Sequence, residues 1–221
     1  KSGVEWIDGC LNYMKCNAVV QTNIGGVVKE GLEAIPNNEE GRYFTIVSNH
    51  PLGGQDGLIL GSIICHKYDS QMVYLVNDLL MNLKGLAPLC VPINKTGRNG
   101  RDFPKMVEAA FQSPKNVVMF PAGLCSRKGD DGSIRDLEWK KTFITKAKTY
   151  HRDIIPTHIS GRNSNFFYNL SNIRKFFGIK VNIEMLFLVN EFYKQKNKTL
   201  TITFGKPIPW QTFDNRYTDS E

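Results

Sequence analysis

The sequence predicts an α/β fold: a single layered domain with a largely parallel central sheet flanked by helices. Two observations carry this. Short continuous apolar or β-branched runs alternate with stretches of helical length, the pattern of strand–helix–strand units whose sheet is covered on both faces. The length of 221 residues, with 41% hydrophobic and 22% charged side chains, is that of one domain with a real core.

In order along the chain, Trp6, Ile7, Cys10, Leu11 and Met14 recur at helical spacing and give a short amphipathic helix. Ala18–Thr22 and Val27–Lys29 flank Gly25-Gly26, which reads as a hairpin or a bent strand. Tyr43–Ser48 is a strand, with Phe44, Ile46 and Val47 among β-formers. It runs into the turn-rich loop Asn49–Asp56 and an apolar helix from Gly57 to His66. Met72–Val76 is a second apolar strand, followed by helical residues 78–86. Cys90–Asn94 is a third strand, Phe103–Gln112 a helix, and Asn116–Phe120 a fourth strand that stops at Pro121. Leu137–Tyr150 reads as a basic helix, Ile154–Ile159 as a strand and residues 182–194 as helical. Leu200–Phe204 is the final strand before Gly205-Lys206-Pro207. No internal repeat or low-complexity linker occurs. The expected organisation is a helix and short strands over 1–42, the main domain over 43–209 and a tail over 210–221.

The formal charge is +7, and it is uneven. Residues 140–200 hold 12 basic and 3 acidic groups, a net of +9, whereas residues 1–60 hold 4 and 7, a net of −3. Such a block suits an anionic membrane surface, an acidic carrier protein or nucleic acid, and equally a solvated face. No apolar run has the length of a transmembrane span. The chain opens at Lys1 rather than Met, which leaves an anchor upstream an open question. Five cysteines without a CxxC pair read as reduced, packed thiols of a cytosolic environment. The sequence lacks a GxSxG elbow, a P-loop, a dinucleotide fingerprint, HExxH and RNA-recognition signatures.

In an open α/β sheet, functional groups gather at the carboxyl ends of the strands. The loop after Tyr43–Ser48 lies there and carries His50 and Asp56 around two glycines. A histidine beside a carboxylate is a general base whose tautomer the carboxylate fixes. With no serine elbow or metal motif, the natural use is to deprotonate an acceptor hydroxyl directly. Asp56 equally suits a helix cap and His50 a satisfied loop histidine.

The blocks at later strand ends resemble the glycerolipid (lysophospholipid) acyltransferase superfamily. Its first signature is a histidine and an aspartate with four residues between them; here Ser48-Asn49-His50-Pro51-Leu52-Gly53-Gly54-Gln55-Asp56 places five between them. That variant looks like a bacterial branch of hemolysin-type and ornithine- or glycine-lipid O-acyltransferases. Val91-Pro92-Ile93-Asn94-Lys95 stands at the second block. Phe120-Pro121-Ala122-Gly123-Leu124-Cys125-Ser126-Arg127 resembles the third, usually Phe-Pro-Glu-Gly-Thr-Arg-Ser, with Ala122 in place of the glutamate. Ile154-Ile155-Pro156-Thr157-His158 and Phe204-Gly205-Lys206-Pro207-Ile208 follow in family order, and Gly161-Arg162-Asn163-Ser164 fits the same branch.

The resemblance implies a glycerolphosphate acyltransferase-like fold over residues 43–209. It implies His50 as general base on an acceptor hydroxyl, Asp56 as its orienter, and no covalent acyl-enzyme. Lys95, Arg98, Pro121, Gly123, Ser126, Arg127 and Arg162 are the implied substrate-binding residues. Among them, Gly123 and adjacent backbone N–H groups suit an anionic group or oxyanion, and Arg127 offers a planar fork to phosphate or carboxylate. Cys125 is not expected to act as a nucleophile.

The expected reaction moves a fatty acyl group from acyl carrier protein (acyl-ACP) or acyl-CoA to a lysolipid hydroxyl. The acceptor is lysophosphatidate or a lyso-aminolipid, and no cofactor is needed beyond the thioester. Phe166, Phe167, Phe176 and Phe177, alternating with Arg162, Arg174, Lys175 and Lys180, suit an interfacial patch. Peripheral attachment to an anionic membrane surface on its cytoplasmic side follows, with nucleic acid not expected as a partner. The alternative is a non-catalytic basic lipid-binding domain on a degenerate acyltransferase fold.

Overall fold

A computed structural model describes residues 1–39, 41–93 and 103–214. Ten strands and six α-helices alternate through them. The first elements are α1 (Val4–Met14), β1 (Asn17–Ile24), β2 (Val27–Glu30), β3 (Thr45–Ser48) and α2 (Gln55–Lys67). The middle of the chain forms β4 (Met72–Val76), β5 (Cys90–Pro92), α3 (Phe103–Gln112), β6 (Asn116–Met119), β7 (Arg127–Lys128) and β8 (Ile134–Arg135). The last are α4 (Thr142–Tyr150), β9 (Ile154–Ile159), α5 (Asn165–Phe176), α6 (Leu188–Lys194) and β10 (Thr199–Phe204). Eight strands make one sheet in the order β2-β1-β10-β9-β3-β6-β4-β5, and β7 and β8 form a separate small ribbon.

The block β9-β3-β6-β4-β5 is parallel throughout. The polypeptide therefore leaves β3, β4, β5, β6 and β9 at the same edge, so residues following each of these strands approach one another. The sheet is mixed beyond β9. Strand β10 runs antiparallel to β9 and parallel to β1, and β2 closes the hairpin on β1.

Helices cover both faces of the parallel block, which explains its unbroken apolar runs. Side chains alternate across the sheet. Ile46, Tyr74, Val118 and Ile155 face α1 and α2, packing with Ile7, Leu11, Ile59, Leu60, Ile63 and Ile64. Val47, Val73, Val117 and Ile154 face α3 and α4, packing with Phe111 and Ala147. Helix α1 forms because Ile7, Leu11 and Met14 share one buried stripe, and it ends at Lys15, which adopts the left-handed conformation.

Several elements differ from the sequence reading. The basic helix begins at Thr142 rather than Leu137, because the preceding residues form the ribbon and turn around Asp136. Residues 78–82 form a 3-10 turn rather than an α-helix, and 183–187 form a 3-10 turn before α6. The unforeseen helix is α5. Its large apolar residues lie on both faces, with Phe167 and Tyr168 buried and Phe166, Ile173 and Phe176 exposed, so no amphipathic period stands out. Its signal was the cap: Ser164 accepts the Phe167 N–H on its hydroxyl. Among the described residues no helix is long and apolar enough to cross a membrane.

The α3–β6 connection is held by one buried cation. Arg152 donates to the carbonyls of Phe111 at 2.8 Å, Ser113 at 2.7 Å and Lys115 at 2.7 Å. These are the orphan acceptors at the end of a helix and its following turn. Replacing Arg152 with Met fills the space and strands all three acceptors. Arg152→Met should lose about 3 kcal/mol of stability, read as a lower urea midpoint at unchanged slope.

Candidate active site

The loop from Asn49 to Gly54 leaves β3 at the shared carboxyl edge and returns into α2. Asp56, in the first turn of α2, has no exposed surface. Its Oδ2 accepts the N–H groups of Leu52 at 2.8 Å and Gly53 at 3.1 Å, and its Oδ1 accepts those of Gly54 and Gly57, both at 2.9 Å. The loop is thus wrapped around a carboxylate at a helix N-terminus, where the helix dipole also favours negative charge. Gly53 sits at φ +80°, and a Cβ there would press on Cys125 and Leu188, so only glycine fits this bend.

The same carboxylate reaches His50. Nδ1 lies 3.0 Å from Asp56 Oδ2, with its N–H bent away from ideal hydrogen-bond alignment. The five intervening residues therefore still bring the pair into contact. The ring stacks on Phe120 with centroids 4.2 Å apart. Phe120 in turn lies nearly parallel to Tyr74, whose hydroxyl donates to the Gly57 carbonyl at the head of α2. His50 keeps 17% of its side chain exposed. Nδ1 is its buried nitrogen, so Nε2 is the one presented outward.

A second carboxylate stands behind the histidine. Asp136 accepts the His50 backbone N–H at 3.1 Å, the Ser126 hydroxyl at 2.6 Å and the Trp139 indole N–H at 3.0 Å. The His50 carbonyl accepts the Ser126 N–H at 2.8 Å. The Asn49 amide grips the backbone of Ile159 through both of its functions, at 2.9 and 2.7 Å. His50 is therefore fixed on both sides of its own peptide and against β9.

Charge follows from this packing. Burial alone would lower the His50 pKa, but the charge and contact of Asp56, with Asp136 beyond, outweigh burial and the opposing Arg127. The imidazolium persists above the ordinary histidine range. Burial alone would raise Asp56, but the His50 charge and contact and the N–H groups of Leu52 and Gly53 reverse it, so its carboxyl ionises below the usual range. Above the His50 pKa the neutral ring keeps its proton on Nδ1 beside Asp56, which leaves the Nε2 lone pair outward as a base.

The substrate-binding candidates fare differently. Lys95 and Arg98 lie outside the described residues. Arg127 is buried rather than free: it donates to the Cys125 carbonyl at 2.7 Å and to Glu184 at 2.9 Å, and lies over the Phe167 ring. Its guanidinium is thus engaged within the protein. Ser126 is also buried, bonding Asp136 and the His50 carbonyl instead of facing solvent. Pro121 is buried, and its carbonyl accepts the Lys140 N–H. Gly123, at φ +71°, donates its N–H to the Phe120 carbonyl, so that group is not free for an oxyanion. Arg162 remains exposed, paired with Asn165 and lying over Tyr168.

Cys125 is fully buried, and desolvation keeps its thiol pKa raised despite the adjacent Arg127. Among the described residues, no group of three or more His, Cys, Asp or Glu could share a metal ion. Sequence reasoning missed Asp136, Phe120, Asn49 and Glu184 as parts of the site's frame. Asn49 and Phe120 each stand within a quoted motif, beside a residue given a role. Asp136 and Glu184 carry no sequence signal, since only the fold brings them to His50 and Arg127.

The model of the family described as Acyltransferase matches residues 13–216. A lyso-glycine lipid O-acyltransferase of Bacteroides thetaiotaomicron is 56% identical over all of this chain, which spans 76% of that protein. One of Phocaeicola vulgatus is 55% identical, again over all of this chain and 75% of its own length. The crystal structure of a 1-acyl-sn-glycerophosphate acyltransferase from Thermotoga maritima superposes with a TM-score of 0.55 at 17% identity. The alignment covers 96% of this chain and 70% of that one, which shows a shared fold.

The two carboxylates give His50 a measurable signature. By NMR, its imidazole should titrate above the ordinary histidine value of about 6.5. Asp136→Asn removes one negative charge and should lower that midpoint without displacing the ring from Phe120. An unchanged midpoint would show that Asp136 acts only through its backbone hydrogen bonds.

Proposed function

Since the chain belongs to the acyltransferase family, we propose that it transfers a fatty acyl group from an acyl thioester to the hydroxyl of a lysolipid. Acyl carrier protein or coenzyme A carries the donor, and a lyso-glycine lipid is the favoured acceptor. The acceptor reading is supported by two relatives of that name, each at least 55% identical over the whole chain. The observation that carries the mechanism is the half-open geometry of His50, one nitrogen against buried Asp56 and the other toward solvent.

In this reading the acceptor O–H gives its proton to Nε2 as its oxygen attacks the thioester carbonyl. The tetrahedral intermediate then expels the thiolate, which takes the proton from the imidazolium, leaving an ester and a free thiol. Asp56 stabilises the imidazolium between these two transfers and remains ionised throughout. No side chain is acylated, in keeping with the burial of Cys125. The protein works peripherally on the cytoplasmic side of an anionic membrane, where its amphiphilic acceptor resides.

Purified protein supplied with a lyso-glycine lipid and either thioester should form the diacylated product. His50→Ala should slow transfer by about 10²–10⁴-fold while the protein stays folded. For the wild type, kcat/KM should rise with pH through the elevated His50 pKa, because the base must be neutral. Full activity in His50→Ala would sink this mechanism.

A further inference from the structure

The segment from α5 to α6 carries the most exposed apolar side chains in the described residues. Phe176 is 85% exposed and Leu186 80%, with Phe177, Val189, Ile173 and Phe166 also open to water. Phe167 and Arg174, expected to share this patch, are turned inward: Phe167 is buried and Arg174 pairs with Glu184 at 2.9 Å. What remains outside is organised. Phe166, Asn169, Ile173 and Phe176 form one stripe along α5, about 15 Å long at 1.5 Å per residue. Phe166 meets Phe187 edge-on at 5.1 Å, and the Lys194 ammonium lies over the Phe166 ring, so the stripe continues onto the 183–187 turn and α6.

Charge sorts in the same sense. Between residues 160 and 198 the sequence has two carboxylates, Glu184 and Glu191, and both are buried. Glu184 lies between Arg127 and Arg174, and Glu191 pairs with Lys194 at 2.6 Å. Lys175, Lys180, Lys196 and Lys198 are exposed. The exterior of this segment is thus cationic and apolar, with its acidic groups inside. A groove of about 700 Å³ opens beside the stripe, between Lys175 and Phe176 on one side and Lys128 and Asp130 on the other.

The segment is also locked to the catalytic loop. Leu188 and Phe192 pack over Gly53 and Gly54, and Glu184 holds Arg127, which follows Ser126 beneath the His50 carbonyl. We propose that the exposed face from α5 to α6 is a docking surface for an anionic lipid bilayer, one that sets the His50 loop at the membrane surface. Aromatic and aliphatic side chains enter the headgroup boundary while the surrounding lysines meet anionic phosphates. A surface acceptor then reaches His50 without leaving the membrane. This purpose rests on the acyl-transfer reading; the docking itself does not.

Co-sedimentation with vesicles tests it. The full chain should bind phosphatidylcholine vesicles doped with phosphatidylglycerol, bind pure phosphatidylcholine far more weakly, and release as salt rises. The triple substitution F176S/F177S/L186S should lower partitioning at least about tenfold at an unchanged thermal midpoint, since these side chains support little of the core. Equal binding by parent and triple variant overturns the proposal. So does concentration-dependent self-association without vesicle binding, which would assign the surface to a second copy. If the parent binds vesicles through these residues yet transfers no acyl group, the docking stands and the functional reading fails.

Discussion

An ionised carboxylate with no access to water is the constraint on which this site is built. Removing such a charge from solvent costs several kcal/mol, and the cost is met only by well-formed donors. Asp56 has four backbone N–H groups and the His50 ring. Hydrogen bonds to a charged group contribute roughly 1.5–3 kcal/mol each, enough in sum to offset burial. Four donors from one short stretch can converge only if the backbone turns tightly, which explains the left-handed Gly53. The position of His50 is therefore a consequence of solvating Asp56 with the chain itself.

The frame around that loop uses the same principle twice more. Asp136 neutralises donors from His50, Ser126 and Trp139, and so joins the β3 and β6 loops. Glu184 joins the β7 ribbon to α5 through two arginines. Removing one arginine from buried Glu184 leaves an uncompensated charge, typically worth about 3–5 kcal/mol, so that joint is stiff. Hydrophobic packing forms the sheet and its helical layers, and charge satisfaction decides how the loops sit on them.

The difference between those two kinds of force decides what the sequence discloses. Ile46, Val47, Val117 and Val118 sit in continuous apolar runs, so the parallel core and its carboxyl edge are legible, and with them the loop bearing His50 and Asp56. The motif around Arg127 is legible as a motif, but nothing local announces that Glu184 will pair with its guanidinium. The Ser126–Asp136 bond is hidden for the same reason, Asp136 being placed by a ribbon too short to show periodicity. Helix α5 is obscured because it exposes large apolar side chains that a solvated helix would bury. Long-range polar pairing and surface hydrophobicity thus account for what local pattern does not reach.

The position of β10 between β1 and β9 has a kinetic consequence. A side-chain bond from Gln21 to Thr203 spans 182 positions of sequence, and the mixed half of the sheet is held by such distant pairings. Non-local pairing is slow, because loop-closure entropy is lost before any contact forms. During synthesis the hairpin β1–β2 and the edge of β9 wait unpaired until residues 199–204 emerge from the ribosome. Until that moment two bare strand edges are available to other chains, which makes this half of the molecule the place where chaperone capture or misassembly would begin.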